Sequence, residues 1–213
     1  MTVQMFTFNP LQVNTYVVFD ETLEAVIIDP GNGNLAEDER LSSYISEHKL
    51  RVKYIINTHP HVDHIYGNAF CKERYPDADL LLHKAGLKIY SQSSAYCVAF
   101  GYDAIESPTP TLIDEGRQIA FGHQQLEVIY TPGHCDGSIC LYNAKEHAIF
   151  VGDVLFEGSI GRSDLPSGNH TVLQESLKKL FDLDEDMIIY PGHGPTTTLT
   201  KEKTDNPFLR FLQ

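Results

Sequence analysis

Five short apolar runs in this chain each lead into a side chain that can bind a metal ion. The runs are rich in β-branched and aromatic residues, which is typical of buried strands. They are AVIID ending at Asp29, YIINT before His59, LEVIYTPG before His134, AIFVG before Asp153 and MIIYPG before His193. Strands of α/β folds end in loops along one rim, where such folds place their binding sites. The pattern therefore predicts an α/β fold with a polar site at one edge.

Helical and strand-like segments alternate along the chain. Helical spacing of apolar residues covers residues 34–50, 68–76 and 171–183. Strand-like runs cover residues 14–20, 24–31, 51–58, 78–83, 124–131, 138–143, 147–153 and 186–192. The first two strands are predicted to form a hairpin or meander. Because the sequence has no internal repeat and no obvious linker, residues 1–213 are predicted to form one α/β domain.

The segment from residue 84 to residue 110 has no regular pattern and is predicted to be an irregular connection. It contains four aromatic residues in close succession, Tyr90, Tyr96, Phe100 and Tyr102. Packing of these rings in the core is the first interpretation. A lid over the site or a contact between subunits is the alternative.

Composition and charge argue against several classes of protein. Hydrophobic residues make up 42% of the chain, which is typical of a globular protein. The 16 Lys and Arg residues are scattered and the net charge is −13, so we expect no nucleic-acid partner. The amino-terminal segment lacks a basic region and a long apolar region, and no apolar run approaches the roughly 18 residues of a membrane span. We therefore expect a cytoplasmic protein without a membrane partner and, since the four cysteines form no CxxC pair, without disulfides.

The segment INTHPHVDHIYGN contains the densest group of candidate ligands. It brings three histidines and an aspartate close together, and adjacent imidazoles would crowd one another without a cation. With the residues at the later strand ends, the candidate metal ligands are His59, His61, Asp63, His64, His134, Asp153 and His193. One tetrahedral site uses three or four ligands, so this larger set indicates two metal ions.

Taken singly, these residues have simpler interpretations. A lone histidine at a strand end is more often a hydrogen-bonded surface or core residue than a ligand. Asp153 follows a glycine, so it is also compatible with a turn or a helix cap. Asp29 precedes Pro-Gly and is predicted either to form that turn or to support a metal ligand. The occurrence of TPGH, VGD and YPGHGP in this order after the cluster favours the metal interpretation for the set as a whole.

Four of these motifs in order, THPHVDH, TPGH, GD and PGHG, resemble the metallo-β-lactamase fold superfamily. The stretches GDVLFEGSIGRSDLPSGN and YPGHGPTTTLTKEKTDNPFL are more similar to one branch, hydroxyacylglutathione hydrolase (glyoxalase II) and its single-domain relatives. The resemblance implies a four-layer αββα sandwich with the metals at one edge, between the two sheets.

The same resemblance implies how the ligands are shared between the metals. It assigns His59, His61 and His134 to one metal ion and Asp63, His64 and His193 to the other. Asp153 is expected to bridge the two ions, and Asp63 and Asp153 are the expected catalytic carboxylates. The two divalent ions of this branch are usually zinc, which iron or manganese can replace.

Glyoxalase II enzymes have a helical carboxy-terminal domain whose basic residues bind the carboxylates of glutathione. Only 20 residues follow His193, so that domain is expected to be missing and glutathione specificity is in question. Arg162 is then a candidate for binding a substrate carboxylate through a bidentate fork. Its alternative role is to pair with a nearby carboxylate such as Asp164, or with loop carbonyls, and hold the loop in place.

The ligand set predicts a binuclear hydrolase that uses a metal-bound hydroxide, and the resemblance implies a small-molecule thioester such as a hydroxyacyl-glutathione-like compound as its substrate. A thiolate leaving group has a pKa near 8.5, so it departs without a general acid, whereas an amide would need a proton donor. The first alternative is a mononuclear iron dioxygenase acting on a persulfide, with His59, His134 and Asp153 as a facial triad. The second is a metal-binding protein without turnover. The number of metal ions per chain distinguishes the hydrolase from the dioxygenase.

Overall fold

Two six-stranded sheets pack face to face and form the two inner layers of the molecule. The computed structural model describes residues 1–99, 103–183 and 187–212. The first sheet contains, in spatial order, β1 (Thr2–Phe8), β2 (Val13–Phe19), β3 (Glu24–Ile28), β4 (Arg51–Asn57), β5 (Asp79–His83) and β6 (Thr111–Ile113). Strands β1 to β3 are antiparallel, whereas β3 to β6 run parallel.

The second sheet comes from the carboxy-terminal half of the chain. The strands after β6 are β7 (Gln118–Phe121), β8 (Gln124–Tyr130), β9 (Ile139–Asn143), β10 (Ala148–Gly152), β11 (Leu155–Phe156), β12 (Ser159–Ile160), β13 (Ile188–Pro191) and β14 (Thr197–Thr198). Six of these strands form the sheet in the order β14-β13-β10-β9-β8-β7, and β11 and β12 form a separate hairpin. Within the sheet only β10 and β13 are parallel neighbours.

Helices form the two outer layers. They are α1 (Leu35–Glu47), α2 (Val62–Ile65), α3 (Asn68–Arg74), α4 (Leu87–Tyr90), α5 (Ser93–Ala99), α6 (His170–Phe181) and α7 (Leu199–Asp205), with 3₁₀ turns at Lys84–Gly86 and Pro207–Leu212. Leu41 of α1 packs in the core on the outer face of the first sheet, and Leu173 of α6 packs on that of the second. These layers confirm the predicted αββα sandwich. In the described part of the chain, no helix has the length and apolar character needed to cross a membrane.

Alternation along the strands assigns side chains to the inner and outer cores. In β2, Tyr16 and Val18 pack between the sheets, whereas Val17 packs on the α1 side. All residues of β2 are buried because both faces of the sheet are covered. Double coverage also explains why the central strands appear in the sequence as continuous apolar runs rather than as alternating patterns.

All helices and strands that the sequence predicts are present, with ends that differ by a few residues. The predicted last strand began at Asp186, which lies outside the described residues, and β13 starts at Ile188. The first two predicted strands belong to a meander with β1, which was not predicted. Strands β6, β7 and β14 and helix α7 were also missed, because they are short or, in β1 and β7, only half buried.

The prediction that residues 84–110 are irregular is wrong in part, because α4 and α5 lie there. Tyr90 is buried in the outer core of the first sheet, as the core interpretation expects, and Tyr96 is half-buried. Phe100 and Tyr102 lie outside the described residues. The helices are only a few residues long, so the sequence offers too little periodicity to reveal them.

The topology brings the predicted strand ends to one edge. Because β3 and β4 are parallel, Asp29 and the residues after β4 emerge on the same side. β8 and β10 both run antiparallel to β9, and β10 is parallel to β13, so the loops after β8, β10 and β13 also emerge together. Main-chain hydrogen bonds join the sheets here, from Ile139 to Thr58 (2.8 Å) and from Asn14 to Gly192 (2.7 Å).

Candidate metal centre

The short helix α2 turns the first cluster of candidate ligands toward the interior. The chain leaves β4 through His59 and His61, and α2 then carries Asp63 and His64. His59 and His64 are buried, Asp63 is 8% exposed and His61 is half-buried. The segment therefore supplies a buried wall with one histidine near the surface.

One group of imidazoles forms where this segment meets the loop after β8. The rings of His59, His61 and His134 are mutually perpendicular, with centroids 4.6–4.9 Å apart. Nδ1 of His61 lies 2.9 Å from Nε2 of His134. One ligand atom from each of the three side chains lies close enough to the other two for all three to bind a single ion.

A second group forms where the same segment meets the loop after β13. Oδ2 of Asp63 lies 3.5 Å from Nε2 of His64 and 3.2 Å from Nε2 of His193. The two imidazole nitrogens are 3.3 Å apart. This group also presents one donor atom from each residue to a common point.

The carboxylate of Asp153 lies between the two groups. Its Oδ1 is 3.4 Å from Nε2 of His64, in the second group. Its Oδ2 is 3.7 Å from Nε2 of His134, in the first group, and 3.6 Å from Nε2 of His193, in the second. The structure thus brings all seven candidate residues together, with Asp153 in the position that a bridging ligand requires. Their ligand roles stay predictions.

Backbone carbonyls fix the orientation of two of the imidazoles. Nδ1 of His134 donates to the carbonyl of Arg162 (2.8 Å), and Nδ1 of His193 donates to the carbonyl of Gln12 (3.1 Å). A carbonyl can only accept, so Nδ1 carries the proton in both rings. In a neutral imidazole this leaves the Nε2 lone pair facing the site, which is the state that binds a metal.

Asp29 fixes the other buried imidazoles. Its carboxylate accepts hydrogen bonds from the Thr58 amide (2.7 Å), the Thr58 hydroxyl (2.6 Å) and Nδ1 of His64 (3.0 Å). Since the Thr58 hydroxyl gives its only proton to Asp29, it accepts from Nδ1 of His59 at 3.1 Å. Nε2 of His59 and of His64 therefore also face the site. Gly152 (φ +49°) allows this packing, because a Cβ there would lie 2.4 Å from the Thr58 hydroxyl.

The side chains of the site leave polar atoms that hydrogen bonds within the protein do not fully satisfy. Nε2 of His64 and Nε2 of His193 face each other, although both rings already donate through Nδ1. Nε2 of His59 and Oδ1 of Asp153 are buried and have no hydrogen-bond partner. Buried polar atoms are nearly always satisfied, so these orphans mark a place for an ion. Imidazoles and carboxylates suit zinc, iron or manganese.

The electrostatic environment also favours positive charge at the centre of the site. Burial alone would lower the pKa of His64, but the carboxylates of Asp63, Asp153 and Asp29 outweigh it and raise that pKa to about 10. For His61 the effect of burial outweighs that of Asp153 and Asp63, and burial together with the nearby His134 lowers its pKa to about 4. The carboxylates thus favour positive charge at the centre, a proton on His64 or a metal ion in its place, whereas burial favours the neutral form of His59, His61 and His134.

A second buried carboxylate, Glu202, secures the loops that hold these ligands. It is 1% exposed and accepts hydrogen bonds from the Thr197 hydroxyl (2.6 Å), the Gly158 amide (2.9 Å) and the side-chain amide of Asn206 (2.8 Å). Thr197 follows His193 by four residues in the sequence. Gly158 is the turn of the β11–β12 hairpin, which connects Asp153 to Arg162. The sequence of the segment TKEKTDNPFL does not by itself indicate this role of Glu202.

Arg162 contributes through its main chain and its side chain in different ways. Its carbonyl accepts from His134, as described. Its guanidinium forms a bidentate pair with Asp164, with both N–O distances at 2.8 Å, and this pair lowers the pKa of the Asp164 carboxyl to about 2. The pairing agrees with the structural alternative for Arg162, and binding of a substrate carboxylate stays a prediction.

Replacing Thr58 by valine should weaken metal binding. The change removes the hydroxyl between Asp29 and His59 while keeping the shape of the side chain. We expect metal affinity to fall by about 10- to 100-fold, as for other outer hydrogen-bond partners of metal ligands. Competition with a chromogenic zinc chelator measures this. Thr58→Ser keeps the hydroxyl and should bind the metal with normal affinity. If Thr58→Val binds the metal as tightly as the wild type, the hydrogen bonds of the Thr58 hydroxyl to Asp29 and His59 do not support metal binding.

Replacing Glu202 by glutamine should destabilise the protein itself. The amide would place a donor opposite groups that now donate to Glu202, so we expect a loss of about 1–3 kcal/mol in the free energy of unfolding. Urea denaturation of the metal-free protein measures this without a contribution from bound ions. Glu175, exposed on α6, offers the matched control, and Glu175→Gln should change the stability by less than about 0.5 kcal/mol. Equal stabilities of the two variants would contradict the structural role of Glu202.

Comparison with known proteins agrees with the fold. The sequence model of the metallo-beta-lactamase superfamily matches residues 8–193. Hydroxyacylglutathione hydrolase GloC of Haemophilus influenzae is 32% identical over 98% of this chain and 98% of its own length.

Two solved structures are similar over nearly the whole chain. The crystal structure of BLEG-1 B3 metallo-beta-lactamase has a TM-score of 0.89 and 33% identity, covering 98% of this chain and 100% of that one. The crystal structure of TTHA1623 in a di-iron-bound form has a TM-score of 0.86 and 36% identity, covering 97% and 100%. The match to the family model and the shared fold together show that this chain belongs to the metallo-beta-lactamase superfamily, a superfamily of metal-dependent hydrolases.

Proposed function

We propose that this protein is a binuclear metal-dependent hydrolase that cleaves a small-molecule thioester, such as a hydroxyacyl-glutathione-like compound. One observation carries the proposal: two groups of three donor side chains lie on either side of Asp153, whose oxygens face both. His59, His61 and His134 would hold one ion and Asp63, His64 and His193 the other. The expected ions are zinc, with iron or manganese as replacements.

The half-buried side of the site is where a substrate would enter. His61, Asp153 and His193 are partly exposed, whereas His59 and His64 are buried behind them. A carbonyl group would therefore approach across the first three side chains. The buried histidines, fixed by Asp29 and Thr58, would keep the rear wall closed to water.

The residues of the site suit the chemistry of a thioester. Bound divalent ions would supply Lewis acidity and lower the pKa of water toward neutrality. The carboxylates of Asp63 and Asp153 face the same space and can accept the proton of an attacking water molecule. The seven side chains include no ammonium or hydroxyl to protonate an amine, but a thiolate with a pKa near 8.5 departs unprotonated. The products would be a carboxylate and a thiol.

The similarity to hydroxyacylglutathione hydrolase GloC supports a thioester as the substrate, and the similarity to a di-iron-bound protein supports two metal ions. The mononuclear dioxygenase that the sequence left open needs only His59, His134 and Asp153. It would give no role to the inward-facing nitrogens of His64 and His193, and this favours the hydrolase. The cytoplasmic location, the absence of nucleic-acid and membrane partners and the single-domain organisation stay predictions.

Metal content and substrate class can be tested together. Protein stripped with a chelator and reloaded with zinc, iron or manganese should bind two ions per chain and hydrolyse a thioester. The matched amide should react far more slowly because its leaving group needs a proton. The panel also includes a β-lactam, assayed for hydrolysis, and a persulfide, assayed for oxygen uptake with an oxygen electrode. One iron per chain with oxygen uptake would identify the dioxygenase, and two ions without turnover of any thioester would sink the proposal.

Replacing Asp153 by asparagine should affect both metal positions at once. The amide keeps the shape but removes the charge that would serve two ions, so we expect activity to fall by at least about 100-fold. Metal analysis should show fewer than two ions per chain. His170→Gln is the control, because His170 is exposed at the start of α6 and outside the site. Near-full activity with two bound ions in Asp153→Asn would show that Asp153 has been misassigned.

A further inference from the structure

A groove of about 360 Å³ lies along the turn between β1 and β2 and has no role in the chemistry described above. Its lining includes Asn9, Pro10, Leu11, Gly33, Tyr66 and Asp103. Its volume is within the range of small-molecule sites, roughly 300–1,000 Å³. One wall is formed by the turn between β1 and β2, and the opposite wall includes Tyr66 at the end of α2.

The turn between β1 and β2 connects this groove to the metal centre. The side-chain amide of Asn9 donates to the carbonyls of Gly31 (3.0 Å) and Asp63 (3.1 Å). At the other end of the turn, the carbonyl of Gln12 accepts from His193. The Gln12 amide donates to the Asn9 carbonyl (3.0 Å), which closes the turn. The groove is therefore linked to Asp63 through Asn9, and the same closed turn contacts His193 through Gln12, which is not among the residues that line the groove.

The walls of the groove combine apolar and polar side chains. The apolar surface comes from residues such as Pro10, Leu11 and Tyr66, and Leu11 is 48% exposed at the tip of the turn. The side-chain amide of Asn9 already donates both of its hydrogens to carbonyls of the protein, so it cannot donate a hydrogen bond to a ligand. A ligand segment held here would gain mainly from the burial of apolar surface, about 0.8 kcal/mol for each methylene.

The charges at the groove are negative. Asp103 supplies an exposed carboxylate, and Glu37 lies beneath the floor, where its carboxylate accepts from the amides of Gly33 (2.8 Å) and Asn9 (2.9 Å). Among the described residues that line the groove, none is a lysine or an arginine. The groove should therefore repel a carboxylate and accept an uncharged or cationic group.

We propose that this groove binds the acyl group of the substrate and selects apolar, uncharged or ammonium-bearing acyl groups over those with a carboxylate. This inference rests on the proposed thioester hydrolysis. The acyl side fits better than the thiol side, because a carrier thiol such as glutathione has carboxylates of its own. The reacting carbonyl would lie at the metal centre, and the acyl chain would extend past Asp63 along the turn.

Gly33 provides a way to fill the groove without disturbing the metal centre. It does not have a positive φ, and a Cβ there would lie 3.7 Å from Cδ1 of Tyr66 and 3.9 Å from Cβ of Asn9, which is ordinary contact. Alanine should therefore fit, and the larger side chain of Gly33→Val should occupy space between the two walls. Asp103→Asn removes the charge. Asp77→Asn removes an exposed charge in the turn before β5, at the opposite end of that strand from the metal centre, and is the matched control.

The test uses the metal-loaded enzyme and thioesters of one small neutral thiol, N-acetylcysteamine, with acetyl, hexanoyl, 6-aminohexanoyl and adipoyl groups. We expect the wild type to prefer hexanoyl over acetyl and to disfavour adipoyl. Gly33→Val should lower kcat/KM for hexanoyl by about tenfold, equivalent to one or two lost methylene contacts, and leave acetyl unchanged. Gly33→Ala should have a smaller effect in the same direction. Asp103→Asn should raise kcat/KM for adipoyl relative to hexanoyl, and Asp77→Asn should not.

The outcomes separate this inference from the proposed function. Absence of acetyl thioester hydrolysis in the loaded wild type would overturn the proposed function itself. Normal acetyl hydrolysis shows that each variant is folded and that the centre is active. If hexanoyl and acetyl are then affected equally by Gly33→Val and Gly33→Ala, or if adipoyl is insensitive to Asp103→Asn, the groove does not bind the acyl group.

Discussion

The hydrogen bonds of Asp29 are the interaction on which the rest of the site depends. Its carboxylate is 1% exposed, so it has lost nearly all of its hydration, and its three hydrogen bonds offset that cost. Two of these hydrogen bonds hold Thr58 at the end of β4, and the third holds His64, six residues later in the sequence. A single carboxylate therefore fixes the backbone that leaves the sheet and both buried imidazoles, His64 directly and His59 through Thr58. Asp29 adopts a positive φ of 50°, which directs the chain away from β3 and leaves the carboxylate facing β4.

In the second sheet the same task falls to main-chain carbonyls. Those of Arg162 and Gln12 hold His134 and His193, so the orientation of each ring depends on where a loop lies. Glu202 secures two of these loops, because it bonds Thr197 after His193 and Gly158 in the hairpin before Arg162. Both sheets thus use a buried carboxylate to hold imidazoles, directly for His64 and through intervening residues for the others. In neither case does the carboxylate itself need to touch a metal ion.

The sequence could predict the ligands better than what holds them. His59, Asp153 and His193 follow apolar strands, and parallel or twice-reversed strands bring their ends to one edge, so periodicity and topology together locate the site. The acceptors are different. A backbone carbonyl, such as that of Gln12, is present at every residue, and nothing in its side chain reveals that it faces an imidazole from a distant part of the sequence. Glu202 was equally hidden, since a glutamate in a lysine-rich helical segment reads as an exposed residue. Strands β1, β6 and β7 were missed for a related reason. β6 and β7 are short and β1 and β7 are only half buried, so few of their residues carry the apolar pattern that predicts burial.

The predicted ligand assignment gives the metal ions a structural consequence as well as a chemical one. His59, His61, Asp63 and His64 come from the first sheet, whereas His134, Asp153 and His193 come from the second. Each ion would therefore join the two sheets at this edge, where carboxylates and imidazoles replace the apolar contacts of the inner core. Elsewhere the sheets are held by side chains such as Tyr16, Val26 and Phe150. An ion that binds only the folded chain stabilises it in proportion to the logarithm of its concentration relative to its Kd. Because orphaned nitrogens and mutually repelling carboxylates meet at this edge, its local stability should depend on bound ions more than that of any apolar part of the interface between the sheets.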